Sequence, residues 1–112
     1  MATILYVEDD ECVRTTIKEM LEKGHTIVPA REGQAALERL ARMKHLDLII
    51  TDVQMPRLNG YDLIRALNDR QIQIFVIVHS DDYNPARVND SGRLVHVKKD
   101  TAQDLVNTVR EI

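Results

Sequence analysis

Short apolar runs alternate with longer amphipathic stretches along this chain. Residues 4–7 (ILYV) are apolar without a break and predict a first strand. Residues 11–23 then set Val13, Ile17, Met20 and Leu21 on one face, the spacing of an amphipathic helix. Gly24 supplies a stop, and residues 26–28 predict a short second strand. A second helix is predicted over 33–43 with Ala36, Leu37 and Leu40 inward, a third strand over 46–51, and a third helix over 58–68 that buries Leu63, Ile64 and Leu67. Residues 72–78 (IQIFVIV) predict the fourth and most apolar strand, and residues 94–97 a shorter fifth. The last helix is predicted over 101–112, with Ala102, Leu105, Val106 and Val109 inward and Thr101 as its N-cap. Between the last two strands, residues 81–93 (DDYNPARVNDSGR) are polar and carry Pro85 and Gly92, so any helix there is short or irregular.

Strands that are apolar along their whole length are buried on both faces, and strands that alternate with helices form a parallel sheet with right-handed crossovers. The expected class is therefore α/β, a doubly wound parallel sheet. At 112 residues with 44% apolar content the chain is long enough for one real core, and one domain over residues 1–112 is expected. A formal charge of −3 with both signs interspersed lacks the concentrated basic face that nucleic acid or an anionic membrane would require. Cys12 is the only cysteine, so no internal disulfide can form and a reducing compartment is expected. The start, MATILYVEDD, lacks a basic n-region and a long apolar h-region, and no apolar run approaches membrane-spanning length. These features together predict a soluble, cytoplasmic protein.

In a parallel sheet the residues after each strand share one edge, the edge where such folds bind ligands. Here that edge collects Glu8, Asp9 and Asp10 after the first strand and Asp52 after the third. His79, Ser80, Asp81 and Asp82 follow the fourth, and Lys98 and Lys99 the fifth. Two carboxylates ~4 Å apart repel by about 4 kcal/mol at an effective dielectric near 20, so three together call for a cation. A few hard oxygen ligands with room for water and phosphate suit Mg2+ better than a full Ca2+ cage. A lysine would pair with an anion added beside the metal, and a hydroxyl could bond it. The chemistry implied is a metal-assisted phosphate site whose nucleophile is a carboxylate.

At these positions the chain resembles a response-regulator receiver domain, the phosphoacceptor module of two-component signalling. ILYVEDDECVR resembles the family's first strand and acidic pair. DLIITDVQMPRLNGYDLI resembles its phosphorylation segment, with Pro56 and Gly60 in place. AREGQAALERL, FVIVHS and VHVKK resemble the start of the second helix and the last two strand ends. The resemblance implies a five-stranded flavodoxin-like receiver fold of strand order 2-1-3-4-5. It implies Asp52 as phosphoacceptor and a Mg2+ site made by Glu8 (mainly through water), Asp9, Asp52 and the backbone carbonyl of Gln54. Ser80 is then the hydroxyl that bonds a phosphoryl oxygen, and Lys98 the lysine that pairs with the phosphoryl group. The implied phosphodonor is a histidine kinase, a phosphotransfer protein or a small phosphodonor. An output domain or downstream protein is the implied partner, and self-phosphorylation with dephosphorylation the only catalysis.

Three departures bear on these expectations. Lys99 stands where the family usually has a proline in a cis bond, a geometry that costs ~3 kcal/mol without proline. The segment between Ser80 and Lys98 is short, and Val95 or His96 occupies the place of the family's aromatic switch residue. A one-residue slip would exchange Ser80 for His79, and Lys99 competes with Lys98. Two rival functions follow. One is a pseudo-receiver that signals by protein contacts without phosphorylation. The other is an aspartate-nucleophile phosphohydrolase, which usually has a second acid where this chain has Gln54.

Overall fold

The computed structural model describes residues 1–88 and 93–112. Gly92, counted above among the breakers of segment 81–93, lies outside them. The described elements run β1 (Thr3–Val7), α1 (Glu11–Leu21), β2 (Thr26–Ala30), α2 (Gly33–Leu40), β3 (Leu48–Thr51), α3 (Gly60–Asp69), β4 (Phe75–His79), β5 (Leu94–Val97) and α4 (Ala102–Arg110). The strands form one sheet in the order β2-β1-β3-β4-β5, every pairing parallel. This is the five-stranded receiver-type architecture the resemblance implies. Between β4 and β5 the described residues form one 3-10 turn, Pro85–Arg87.

Alternation along each strand sorts the core into two layers. Leu5, Val7, Ile49, Val76 and Val78 pack with Ala36 and Leu37 of α2 and Leu63, Ile64 and Leu67 of α3. Ile4, Tyr6, Leu48, Ile50 and Ile77 pack with Ile17 and Leu21 of α1 and Leu105, Val106 and Val109 of α4. Side chains two apart on a strand thus share a layer, and this period decides which residues past the strand ends can meet.

Several boundaries differ from the periodicity, each for a local reason. β2 continues through Pro29 to Ala30; as an edge strand it tolerates the missing N–H. α2 ends at Leu40 because its last turn tightens: Arg42 and Met43 donate to the carbonyls of Arg39 and Leu40, three residues back. α3 starts at Gly60, where the Asn59 side chain accepts from Asp62 N–H at 2.9 Å. β4 starts later than predicted and runs one residue further, so that His79 is the last residue of the strand. Thr101 caps α4 as expected, accepting from Asp104 N–H.

Gly60 fixes how α3 leaves the sheet. Its N–H donates to the Val53 carbonyl at 2.8 Å, and a Cβ there would collide with the Asp52 carbonyl oxygen and lie 2.9 Å from Val53 Cα. Gly60→Ala is therefore expected to destabilise the fold by about 3 kcal/mol, read as a lower denaturant midpoint, because backbone rather than a flexible side chain must move.

Candidate functional site

Each acid at the sheet's C-terminal edge is held by the main chain around it. Glu8 N–H continues the ladder to the Ala30 carbonyl at 3.0 Å, and Asp52 N–H to that of Val7 at 3.1 Å. Asp10 is the α1 N-cap, accepting from Val13 N–H at 3.1 Å, so it caps rather than joins the cluster. Asp10 N–H in turn donates to Glu8 Oε2 at 3.2 Å. Asp52 Oδ1 accepts from Val53 N–H at 2.6 Å, which orients the carboxylate. One oxygen each from Glu8, Asp9 and Asp52 lies within 4.8 Å of the others. Glu8 and Asp52 are buried and Asp9 is exposed, so the trio opens to solvent on the Asp9 side. Gln54 lines the same open cavity as Asp9, about 460 Å³.

The lysine is Lys99. Its Nζ lies 2.7 Å from Glu8 Oε1 and 2.7 Å from Asp52 Oδ2. Lys98, the residue expected there, is exposed. No peptide bond among the described residues is cis, so the chain leaves β5 in trans. The turn is pinned by Lys99 N–H donating to Asp81 Oδ1 at 3.1 Å, and it delivers the second lysine into the cluster. Burial opposes the Lys99 charge, but its bonds to Asp52 and Glu8 prevail and hold the ammonium above the usual lysine range. Burial likewise pushes the Glu8 carboxyl up, against the pull of Lys99. Three acids facing one ammonium leave two negative charges over. The donor set, all hard oxygens with one side open, fits a divalent cation that keeps water ligands.

At the end of β4 the register sets His79 at the strand end neighbouring that of Asp52. Ile50 pairs with Ile77 and Thr51 with Val78, and Asp52 and His79 each follow one residue after that last pair. Ser80 follows one step on, where its N–H bonds the Val97 carbonyl at 3.1 Å and its Oγ accepts from Asp82 N–H at 3.2 Å. His79 is 3% exposed and neither ring nitrogen has a hydrogen-bond partner. Burial, reinforced by Lys99, pushes its pKa down from 6.5 to about 4. Between these values the unfolded chain takes up a proton that the folded chain refuses. His79 therefore costs stability as pH falls from about 6.5 towards 4, by up to about 1.4 kcal/mol per pH unit. His79→Phe should remove this slope and raise stability at pH 7 by about 1 kcal/mol. Urea unfolding of both chains at pH 7 and pH 5 checks it, because the contribution of Glu8 is common to the two.

The loop after β4 is clamped from α3 and β5 by residues whose periodicity gives no sign of that role. Tyr61 OH donates to the Asp82 carbonyl at 3.2 Å and accepts from Asn84 N–H at 2.8 Å. Arg87 lies 4.1 Å over the Tyr61 ring, and Arg65 donates to the Arg87 carbonyl. Tyr83 packs between the rings of Tyr61 and His96. His96 Nε2 donates to the Ser80 carbonyl at 2.6 Å. The exposed Val95 leaves His96 as the ring-bearing residue of β5. Only the proximity of Tyr61 to the Asp52 segment hinted at this in the sequence.

A buried aspartate at the end of the third strand, an acidic pair at the first and a lysine after the fifth, on a doubly wound 2-1-3-4-5 sheet, define a signal-receiver module. The chain belongs to the response regulator receiver domain family, whose profile matches residues 4–110. It is 30% identical to the chemotaxis protein CheV3 of Helicobacter pylori over 97% of this chain and 40% of that protein. It is 33% identical to the transcriptional regulatory protein PdtaR of Mycobacterium tuberculosis over 95% of this chain and 54% of that one. The chain thus spans about half or less of these curated relatives. Among solved structures, the signal receiver domain of a signal transduction histidine kinase from Syntrophus aciditrophicus superposes with a TM-score of 0.84 at 30% identity, covering 99% of this chain and 89% of that one. The chain is a receiver domain of two-component response regulators, a class of signalling modules rather than turnover enzymes. Among the described residues no helix is long and apolar enough to cross a membrane.

Proposed function

We propose that residues 1–112 act as one phosphoacceptor receiver domain, cytoplasmic, phosphorylated on Asp52. The phosphoryl group comes from a histidine kinase, a phosphotransfer protein or a small phosphodonor. The observation that carries this reading is the convergence of Glu8, Asp9 and Asp52 within 4.8 Å, with the Lys99 ammonium 2.7 Å from Asp52. Glu8, Asp9, Asp52 and the Gln54 carbonyl would hold Mg2+, which when bound supplies neutralisation of phosphoryl charge. Asp52 is held with Oδ1 on Val53 N–H and Oδ2 towards Lys99, which fixes the orientation of its carboxylate. A carboxylate oxygen forms the new bond to phosphorus while the bond to the donor's leaving atom breaks, its electrons departing with that atom. Lys99 then exchanges one carboxylate oxygen for a phosphoryl oxygen as its partner.

The receiving end of the signal is the surface around β4 and β5. The loop after β4 is bonded both to Lys99, through Asp81, and to Tyr61, so a change in the partner of Lys99 reaches that surface. An output domain or a downstream protein would read it. With Mg2+ and acetyl phosphate the wild-type chain should gain the mass of one phosphoryl group; an unmodified chain would overturn the reading.

A second reading, the pseudo-receiver, draws on the fact that Lys99 already bridges Glu8 and Asp52 without any ligand. It expects partner affinity to be the same for wild type and Asp52→Asn.

A further inference from the structure

We propose that the imidazole N–H of His79, and not the Ser80 hydroxyl, is the side-chain donor to the phosphoryl group on Asp52. This rests on the phosphoacceptor reading of Asp52 and concerns how that group is held. Position comes first. Asp52 and His79 each come one residue after the paired Thr51 and Val78, at neighbouring strand ends, and the Asp52 charge acts on the His79 ring. Ile50 and Ile77, two residues earlier on each strand, share the core layer of α1 and α4, so Asp52 and His79 project to that same face. Alternation turns Ser80 the other way, and its Oγ is engaged with Asp82 N–H while its carbonyl is held by His96.

Chemistry gives the second observation. A buried imidazole kept for structure is bonded at one nitrogen at least, whereas both nitrogens of His79 are buried and partnerless. Lys99, Asp52 and Asp81, groups of the site itself, act on it electrostatically, as does His96 from β5. The ring also lines a groove of about 490 Å³ beside Lys99, between Val13, Ile17 and Ala102 of α1 and α4, so it is not sealed inside the core. A neutral ring keeps one N–H to donate and one lone pair, and adds no charge to compete with Lys99. In the transfer its proton stays on the ring; only the bonds at phosphorus change, from leaving atom to Asp52 oxygen. A donor aimed at the transferring group lowers the barrier because it needs no reorganisation as charge shifts onto the phosphoryl oxygens.

The test uses the full chain with Mg2+ and acetyl phosphate, following phosphoryl uptake by intact mass. His79→Phe keeps the ring volume and removes the donor, and should slow the initial rate about tenfold or more. His79→Asn restores a donor and should recover to within about threefold of wild type. Independently of any variant's folding, the 15N ring resonances of wild-type His79 should shift when beryllofluoride is added with Mg2+, and should stay put in Asp52→Asn. A wild-type rate in His79→Phe, an unmoved ring resonance, or an equal or greater loss in Ser80→Ala would each overturn the proposal. A wild-type chain that takes up no phosphoryl group would instead fell the phosphoacceptor reading, and this assignment with it.

Discussion

Lys99→Ala is expected to cut phosphoryl uptake by about 10²- to 10³-fold and to destabilise the metal-free chain by about 2–4 kcal/mol. The reason is what remains behind. Glu8 is 1% exposed and Asp52 8%, and both turn a carboxylate oxygen to the Lys99 Nζ at 2.7 Å. Without the ammonium, Glu8, Asp9 and Asp52 are left together and the ion pairs to Glu8 and Asp52 are gone. The range sits at the lower side for a broken buried pair because Asp9 opens the cluster to water. Millimolar Mg2+ should recover much of the stability, since a divalent ion answers the same charge, but not the uptake rate, which needs a cation on the phosphoryl group as well. Lys98→Ala should change stability by less than about 0.5 kcal/mol and leave uptake intact, because Lys98 is exposed. Urea titrations with and without Mg2+, together with intact-mass time courses, separate the two lysines. Equal effects of the two substitutions would contradict the placement.

Asp52→Asn should abolish phosphoryl uptake altogether and weaken Mg2+ binding by about tenfold or more. An amide oxygen can still accept from Val53 N–H in the place of Oδ1, so the fold is expected to persist. The formal charge that attracts the ion is gone, as is the lone pair that attacks phosphorus. Asp52→Glu keeps the charge but moves the carboxylate one methylene away from the Val53 N–H and Lys99 contacts that orient it. It should bind Mg2+ and still fail to take up phosphoryl from acetyl phosphate. Isothermal titration with Mg2+ and mass spectrometry of the three chains check both statements.

The hydrophobic pattern carried the strand–helix alternation because the three inner strands are buried on both faces and each helix on one. Those constraints repeat along the chain and average out local ambiguity. The resemblance then supplied strand order, and strand order brought Glu8, Asp9 and Asp52 to one edge, as the structure has them. The misplaced lysine has a different origin. Periodicity identifies a face only while the chain stays in the strand, and a shift of one residue reverses every side chain. Lys98 and Lys99 sit where the chain leaves β5, and the choice between them is made by a turn bond to Asp81 from another loop. The same limit applies at His79. The sequence suggests a strand ending at Val78, and the one added residue turns His79 from a loop residue into the last residue of β4, one position past the partner of Thr51. The Tyr61 clamp was illegible for a third reason. A tyrosine in the first turn of an amphipathic helix looks like any core aromatic until the main chain that meets its hydroxyl is known.

The central claim is that acids from β1 and β3 and the lysine after β5 form one pocket that is complete only with a divalent ion and a phosphoryl group. Amide NMR of the 15N-labelled chain, titrated with Mg2+ and then with beryllofluoride, tests it most directly. The account predicts saturable shifts on Mg2+ at Glu8, Asp9, Asp52 and Gln54. A second, larger set should follow with beryllofluoride at His79, Lys99 and residues 81–88; in Asp52→Asn the first set should need about tenfold or more Mg2+ and the second should vanish. Shifts scattered over exposed acids without saturation, or a beryllofluoride response that is the same with and without Mg2+, would contradict it.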